Sequence, residues 1–530
     1  TLFPYTTLFR SLTYSDWLLD FLEDRADLGA SRAFFSDFNG VIQHELGSND
    51  KLELSAYFSK DRFQFDPDTV YSYANQNVAL SWTHYFNDQL EATFSVGQDG
   101  YQFDVQGEDN LLNAYQYQFG LKQQFLKAQF RQEKGDRHVL SYGLHAIRIQ
   151  LNPGEINPFG VESIVIPEKV EDEQGIDASI FFGDEFEIND QWTVSGGLRY
   201  NLFSALGPRN VPQYAEGAPY LPENIIGEES FSKGNWMKTY HGPEFRLSAR
   251  YALNNWSSLK AGVNSMRQNI HLLSNSSVIT PTDTWKLSDS FIRPQRGIQY
   301  ALGYFRNLEQ NRIEFSAEVY YRTMQNLLDY RSGATIVLNK RIEQDVLLTR
   351  GKSYGLELFL RKNTGTVNGS ISYTYSRSLL QTDPSEQKEQ INGSSWYSSN
   401  FDQPHTANVV LNVEMSRRVN STFAGKYSTG RPVTLPISKF EYGGSERVYF
   451  SERNGFRVPD YFRLDWSVNL EGNHKVKKLA HGSWSFGIYN ILGRNNVYSV
   501  YFIPENGKLQ GYQLSIFASQ IPFITYNFKF

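Results

Sequence analysis

The chain ends in Ile521-Pro522-Phe523-Ile524-Thr525-Tyr526-Asn527-Phe528-Lys529-Phe530. In an extended backbone Ile524, Tyr526, Phe528 and Phe530 fall on one face, and Thr525, Asn527 and Lys529 on the other, because side chains alternate along a strand. A soluble sheet rarely carries an aromatic face to its last residue, since chain ends fray and bare apolar edges aggregate. The pattern suits a strand that closes a barrel, with one face in lipid and the other in a wet lumen. A last strand packed in a soluble β-sandwich is the competing reading.

The rest of the chain repeats the pattern. Leu52, Leu54, Ala56 and Phe58 interleave with Lys51, Glu53, Ser55 and Tyr57. Tyr115, Tyr117, Phe119 and Leu121 interleave with Gln116, Gln118 and Lys122, and Phe462, Leu464, Trp466, Val468 and Leu470 with Arg463, Asp465, Ser467 and Asn469. These runs exceed the usual soluble strand and match the roughly 9–11 residues that a tilted membrane strand needs. Aromatic residues make up 15% of the 530, yet hydrophobic residues reach only 40% and the mean hydropathy is −0.48. That combination fits strands with one polar face. No run approaches a membrane helix, which excludes a helical membrane protein.

Connections alternate between short and long. Short polar turns fall at Ser48-Asn49-Asp50, Asn87-Asp88, Lys134-Gly135, Asn189-Asp190, Asn254-Asn255, Glu309-Gln310, Asn363-Thr364-Gly365, Arg417-Arg418 and Gly472-Asn473. Between them lie long segments rich in Gly, Pro, Asn and aromatics, at 152–175, 205–238, 274–296, 328–352, 379–405 and 431–460. Outer-membrane barrels alternate short periplasmic turns and long extracellular loops in this way. With a lead-in strand near 12–21 and a closing strand near 511–530, the turns imply an all-β, transmembrane antiparallel β-barrel of about twenty strands, of about twenty-two when complete. A short helix over Ser15–Leu28 competes with the lead-in strand, since Trp17, Leu19 and Phe21 also alternate.

Charge and motifs exclude several functions. The net charge is −6, with no basic stripe for nucleic acid. There is no cysteine, hence no disulfide framework, thiolate metal site or cysteine nucleophile. Gly351-Lys352-Ser353 has the end of a phosphate-binding loop, but position 346 is Val where that loop needs Gly. The nine histidines form no close metal pair, and His138 and His145 fall on opposite faces of a strand. His405 is expected to hydrogen-bond where a strand begins. No GxSxG elbow is present. No catalytic, cofactor or metal residues are assigned. No signal-peptide pattern is visible, and Thr1–Ser11, TLFPYTTLFRS, looks foreign to the remainder of the chain, like translated sequencing adaptor. The expected organisation is a non-native leader at 1–11 and a barrel at 12–530.

Ordered motifs carry a family resemblance. They are Ser55-Ala56-Tyr57 with Lys60-Asp61-Arg62-Phe63; Ser353-Tyr354-Gly355-Leu356-Glu357-Leu358; Gly369 to Ser376, GSISYTYS; and Asp402-Gln403-Pro404-His405. Nearer the C-terminus come Thr429-Gly430-Arg431-Pro432, Arg457-Val458-Pro459-Asp460-Tyr461-Phe462-Arg463-Leu464-Asp465 and Tyr489-Asn490-Ile491. From about Thr13 onward the chain resembles the β-barrel of TonB-dependent receptors, particularly the Bacteroidetes type. The resemblance implies the outer membrane of a Gram-negative cell and active uptake of a scarce ligand, such as siderophore-iron, an oligosaccharide or a peptide. It implies as partners outer-membrane lipid, the TonB complex acting through a plug, and the barrel-assembly machinery; a surface lipoprotein lid is left open. The family places that plug and a TonB box before the barrel, and neither is found in this sequence. A passive porin and an outer-membrane barrel enzyme are the alternatives.

The candidate ligand residues are the loop aromatics Trp236, Trp285, Trp396, Tyr397, Tyr442 and Tyr449, which either stack on a ligand or pack the loops against one another. Tyr200, Tyr251, Tyr321 and Phe502 are expected in interfacial girdles. Tyr526, Phe528 and Phe530 are the candidate insertion signal.

Overall fold

The computed structural model describes residues 5–14, 32–66, 68–274, 283–383, 389–443, 445–472, 481–505, 508–515 and 518–529. One antiparallel sheet dominates them. It holds 22 strands, of which Glu168–Lys169 and Tyr397–Ser398 are two-residue bridges at the loops. The other twenty succeed one another around the wall. They are Tyr5–Tyr14, Arg32–Glu45, Asp50–Asp66, Thr69–Asn87, Leu90–Gly107, Tyr115–Lys134, His138–Pro158, Glu173–Glu187, Trp192–Leu206 and Trp236–Asn254, then Ser257–Gln268, Gln295–Leu308, Ile313–Tyr330, Val346–Lys362, Val367–Thr382, His405–Ser416, Val419–Ser428, Tyr461–Glu471, His481–Tyr489 and Ile521–Lys529. Each pairs with its neighbour in sequence order; among the described residues no pairing joins the first and last strands. Among the described residues no helix is long and apolar enough to cross a membrane.

Eight of the nine expected short turns join these strands where the sequence placed them. The ninth, at Gly472-Asn473, runs into residues outside the described set. Several turns are built on asparagine. Asn87 Oδ1 accepts from the Gln89 amide at 2.9 Å, Asn189 Oδ1 from those of Gln191 and Trp192 at 2.9 Å, and Asn254 Oδ1 from that of Trp256 at 2.9 Å. An asparagine carbonyl that caps the backbone two residues on makes a tight turn without a long loop.

Register carries the apolar face from strand to strand. Leu54 stands opposite Leu80, Leu80 opposite Val96, Val96 opposite Leu126, and Leu126 opposite Ala146. Further round, Phe182 faces Leu198, Tyr300 faces Tyr321, and Phe486 faces Ile524. Apart from Ala146 these side chains are exposed, Leu126 by 53% and Ile524 by 63%, and together they form the lipid-facing belt. The opposite face carries Ser81 hydrogen-bonded to Ser95 at 2.8 Å and Thr83 to Thr93 at 3.1 Å, and it lines the lumen. At the lower edge of the belt His84 pairs with Asp50 and His138 with Asp184, each at 2.8 Å. Rings adjoin along the same edge: Trp82 with Phe94, Phe130 stacked on Tyr142, and Trp192 against Tyr251.

The strands are longer than the membrane. Tyr115–Lys134 has 20 residues, about twice the membrane requirement. On its outward face Leu126, Ala128 and Phe130 lie between Gln124 and Gln132. On neighbouring strands the outward apolar residues lie between Gln76 and His84, His138 and Arg148, and Gln174 and Asp184. Each window spans about 9–11 residues, the length of a tilted crossing. Above it the outward face turns polar. Gln118 Nε2 donates to Asp104 at 3.1 Å and Gln124 Nε2 to Gln98 at 3.3 Å.

Over the same stretch the inward face turns apolar. Phe103, Tyr117, Phe119, Ile149, Leu151 and Phe203 form a buried cluster, closed by Leu287 from a loop hairpin. The sequence reading assigned the apolar face to lipid and a wet lumen to the other. For Tyr117, Phe119 and Leu121 the structure reverses this, because that part of the strand stands above the bilayer. Water then bathes its outer face, and a loop covers its inner one. Gly175 opens the space: a Cβ there would lie 2.9 Å from the Phe203 ring.

Two boundaries move. The closing strand is Ile521–Lys529, and Gly511 belongs instead to a separate hairpin, Val497–Glu505 with Lys508–Ser515. Phe502 lies in that hairpin and so in no girdle, whereas Tyr200 and Tyr321 are exposed on the outward face. The first strand is Tyr5–Tyr14, in backbone register with 34–43. Most of the expected lead-in strand and the 15–28 helix alternative lie outside the described residues.

Candidate functional site at the extracellular mouth

The long loops carry five small antiparallel sheets of their own: Arg209–Tyr214 with Ile225–Phe231, Ile270–Leu273 with Thr284–Leu287, Pro432–Val433 with Phe456–Arg457, Pro436–Tyr442 with Ser445–Phe450, and the 497–515 hairpin. The first two are pinned by buried charge. Lys286 Nζ lies 2.8 Å from Glu173 and 2.6 Å from Asp289, and Arg209 3.0 Å from Glu173 and 3.6 Å from Asp289. Glu173 also accepts the Leu287 amide at 2.8 Å, and Asp289 those of Phe291 and Ile292 at 2.9 and 3.0 Å. Burial raises the Asp289 carboxyl, but Lys286 and Arg209 outweigh it and hold it down to about 2. Glu343 lies nearby and accepts from the Tyr214 hydroxyl at 2.9 Å. Burial pushes its carboxyl up. The arrangement folds the paired strands Ile270–Leu273 and Thr284–Leu287 inward over the apolar cluster.

His271 and Ser288 sit in the same layer. His271 Nε2 is 2.9 Å from Ser288 Oγ, and His271 Nδ1 is 3.2 Å from Gln295 Nε2. The contact has the reach of a base and nucleophile, but both residues are fully buried, and no substrate reaches the hydroxyl. Burial, then Lys286, pulls the imidazole down to about 4, so it sits neutral as a packing group.

A second layer explains the ordered motifs. Asp402 is buried and pairs with Arg457 and, at 3.2 Å, with Arg377. Arg457 Nη1 donates to the carbonyls of Asp402 at 2.6 Å and Gly430 at 2.9 Å. Asp460 accepts the Gly430 amide at 2.9 Å and the Tyr427 hydroxyl at 2.7 Å. Gly430 allows a close approach that no side chain would, since a Cβ there would lie 1.6 Å from the Val458 carbonyl oxygen. His405 Nδ1 is 2.9 Å from the Tyr373 hydroxyl at the start of its strand, the bonding role expected of it. The motifs thus clasp loop bases to one another.

The loop aromatics separate into three groups. Trp285 is half-buried against the apolar cluster. Tyr397 is 5% exposed and donates to Asp329 at 2.5 Å; Arg453 pairs with the same carboxylate at 2.5 Å. Burial and Asp329 push the Tyr397 hydroxyl well above the ordinary tyrosine range. Trp396 lies on the outward face, its ring 4.0 Å from Lys352 Nζ. Of the candidates whose side chains are described, Trp236 and Tyr449 stand most open, each 57% exposed. The Tyr442 side chain lies outside the described residues, as do those of Phe528 and Phe530. Tyr526 packs outward on Trp484, with ring centroids 4.6 Å apart.

A cavity of about 620 Å³ opens among the loops, lined by Tyr330, Asn392, Arg431, Phe450, Tyr498 and Tyr501 among others. Sequence reasoning singled out none of these as ligand residues, and it passed over Glu173, Lys286 and Asp329 as partners. Groups more than a hundred residues apart, such as Glu173 and Lys286, leave no spacing signal. Among the described residues no group of histidine and acidic side chains has the geometry of a metal site.

A wall of about twenty antiparallel strands, an apolar belt one bilayer thick and a mouth of packed loops define an outer-membrane β-barrel receptor. The sequence profile described as "TonB dependent receptor-like, beta-barrel" matches residues 6–491. The chain belongs to that family. Among solved structures it is similar to the ferric-catecholate import receptor Fiu from K12 E. coli, at 12% identity and a TM-score of 0.63 over 99% of this chain and 77% of that one. The ferric citrate transporter FecA in its unliganded form gives 12% identity and 0.67 over 99% and 72%. The ferric yersiniabactin uptake receptor FyuA from Yersinia pestis gives 12% and 0.61 over 94% and 71%. At such identities the likeness is one of fold. No curated protein matches the sequence.

Proposed function

We propose that this chain is the barrel of an active outer-membrane importer whose ligand first lodges among the extracellular loops. The observation that carries the reading is the loop cavity, with aromatic faces, amides and a guanidinium in about 620 Å³. Rings stack on tyrosine and phenylalanine, and Asn and Arg bind hydroxyl or anionic oxygens. That chemistry favours siderophore-iron or an oligosaccharide over a peptide. Trp236 and Tyr449, exposed at the loops, are the aromatics we assign to the ligand's first contact. Coupling runs through TonB acting on a plug, and the Bacteroidetes-type assignment and a lipoprotein lid belong to the same reading.

The test is uptake in cells that make the receptor with its native upstream segment, using a radio-iron catecholate chelate and a maltooligosaccharide as probes. Uptake of one probe should saturate and should vanish when TonB is deleted. Unsaturable, TonB-independent passage of both would establish the passive-pore reading instead. For biogenesis, we propose that Tyr526, Phe528 and Phe530 form the signal read by the barrel-assembly machinery. Phe530→Ala should lower the amount of folded barrel in outer-membrane fractions, and unchanged amounts would remove Phe530 from that role.

A further inference from the structure

Inside the mouth, cations are matched to acids: Arg209, Lys286, Arg377, Arg453 and Arg457 are all ion-paired. The outer wall differs. Arg267 and Arg296 stand directly opposite each other on adjacent strands, on the same face as Val263 and Tyr300. Like charges in that position repel. Neither makes a salt bridge within the described residues; the Arg267 guanidinium donates only to the His241 carbonyl, at 2.7 Å. The one acid beside it, Glu244, accepts the Arg267 backbone amide at 2.8 Å and turns its other oxygen toward Arg199 on the inner face, at 3.8 Å. The His241 ring meets the Tyr200 hydroxyl at 2.6 Å.

Two strands further round, Arg350 and Lys352 share the outward face with Tyr354, and they too lack an acid among the described residues. Lys352 Nζ lies 4.0 Å and the Arg350 guanidinium 5.9 Å from the Trp396 ring. Arg350 Nε donates to the neutral Gln381 side chain at 2.9 Å. Strand spacing puts the two clusters about 10 Å apart at similar height. Beneath both runs a row of tyrosines in register, Tyr300 opposite Tyr321 and Tyr321 opposite Tyr354. Interfacial tyrosines mark the level of lipid headgroups.

We propose that Arg267 with Arg296, and Arg350 with Lys352, form a two-point site on the outer wall for the phosphorylated sugar headgroup of an outer-leaflet lipid. Four cations without acids call for an anion. Their place at the top of the lipid belt brings a headgroup phosphate to them and leaves its acyl chains against the belt. The two clusters suit two phosphates on one headgroup, and Trp396 offers a ring face to the sugar between or beside them. The site lies on the other side of the wall from the loop cavity, so it stands or falls independently of the imported ligand.

The test uses the whole receptor in phosphatidylcholine nanodiscs doped with diphosphoryl lipid A, with bound lipid counted by native mass spectrometry. R267Q/R296Q should weaken retention about tenfold or more, and K352Q by a smaller factor. K127Q, a lumen-facing control, should leave it unchanged, and heat-modifiable gel mobility verifies that each variant is folded. Dephosphorylated lipid A should bind the wild type as weakly as diphosphoryl lipid binds the double variant. Retention within twofold of wild type in R267Q/R296Q would overturn the proposal. So would equal binding of the dephosphorylated lipid, displacement by millimolar inorganic phosphate, or loss of retention in K127Q to the same degree.

Discussion

Leu126→Arg should lower the stability of the barrel in a bilayer by roughly 2 kcal/mol, whereas Gln124→Arg, two residues along the same face, should be nearly silent. Leu126 is 53% exposed and faces Val96 and Ala146 across its two ladders. It therefore sits inside the belt, on the lipid side of the boundary that Gln124 marks on the same face. An arginine on the lipid face near the midplane costs about 2–4 kcal/mol, falling to about 0–1 kcal/mol near the interface. Gln124 already bonds Gln98 in the polar layer above, where a cation stays in water. A urea titration of each variant folded into lipid vesicles measures the difference. Equal losses for the two would show that the bilayer reaches higher than Gln124, and the exchange of faces at that level would be wrong.

Lys286→Met should release the inward-folded loop without unfolding the wall. Glu173 and Asp289 are 4% and 5% exposed, and the substitution leaves them to share Arg209. Removing one partner of a buried ion pair typically costs about 3–5 kcal/mol, because the charge left behind is desolvated and uncompensated. The reporters are the amides of Leu287 and Ile292, bonded to Glu173 and Asp289 at 2.8 and 3.0 Å. They should exchange with solvent hundreds of times faster in the variant, while strand amides such as that of Leu126 stay protected. Retained protection at Leu287 would show that apolar packing alone holds the hairpin.

Acid should imitate part of this. His271 has its imidazole held down to about 4, below its unfolded value of about 6.5. Its contribution is complete above that higher value and is lost as the pH falls through the lower one. Asp289 behaves with the same sign. Its stabilisation is present above the ordinary carboxylate range and disappears as the pH approaches about 2. The loop amides should therefore begin to lose protection between about pH 6.5 and 4, well before the wall does.

Much of this architecture was legible before any coordinates. The alternation of Ile524, Tyr526 and Phe528 against Thr525 and Asn527, the asparagine turns at Asn87, Asn189 and Asn254, and the parity of short and long connections led to a barrel of about twenty strands. These are local signals: a strand's period and a turn's cap are written within a few residues. Even the exchange of faces left a trace. Between Leu121 and Leu126 the apolar residues shift from odd to even positions, while the register with Leu90–Gly107 runs on without a bulge. A change of phase without a bulge means that the environment changes, not the backbone.

What the sequence by itself determined was the strand period, the turn chemistry, the alternation of short and long connections and hence the class of protein. The tertiary structure decided which apolar face meets lipid and which meets a loop. It also decided that Trp396 stands on the outer wall while Tyr397, its neighbour in sequence, is buried, and that Glu173, Arg209, Lys286 and Asp289 meet at all. The physical reason is range. Alternation and turns are set by backbone geometry over a few residues. Ion pairing, burial and the height of the bilayer depend on groups brought together from strands and loops a hundred or more residues apart, and no periodicity connects those.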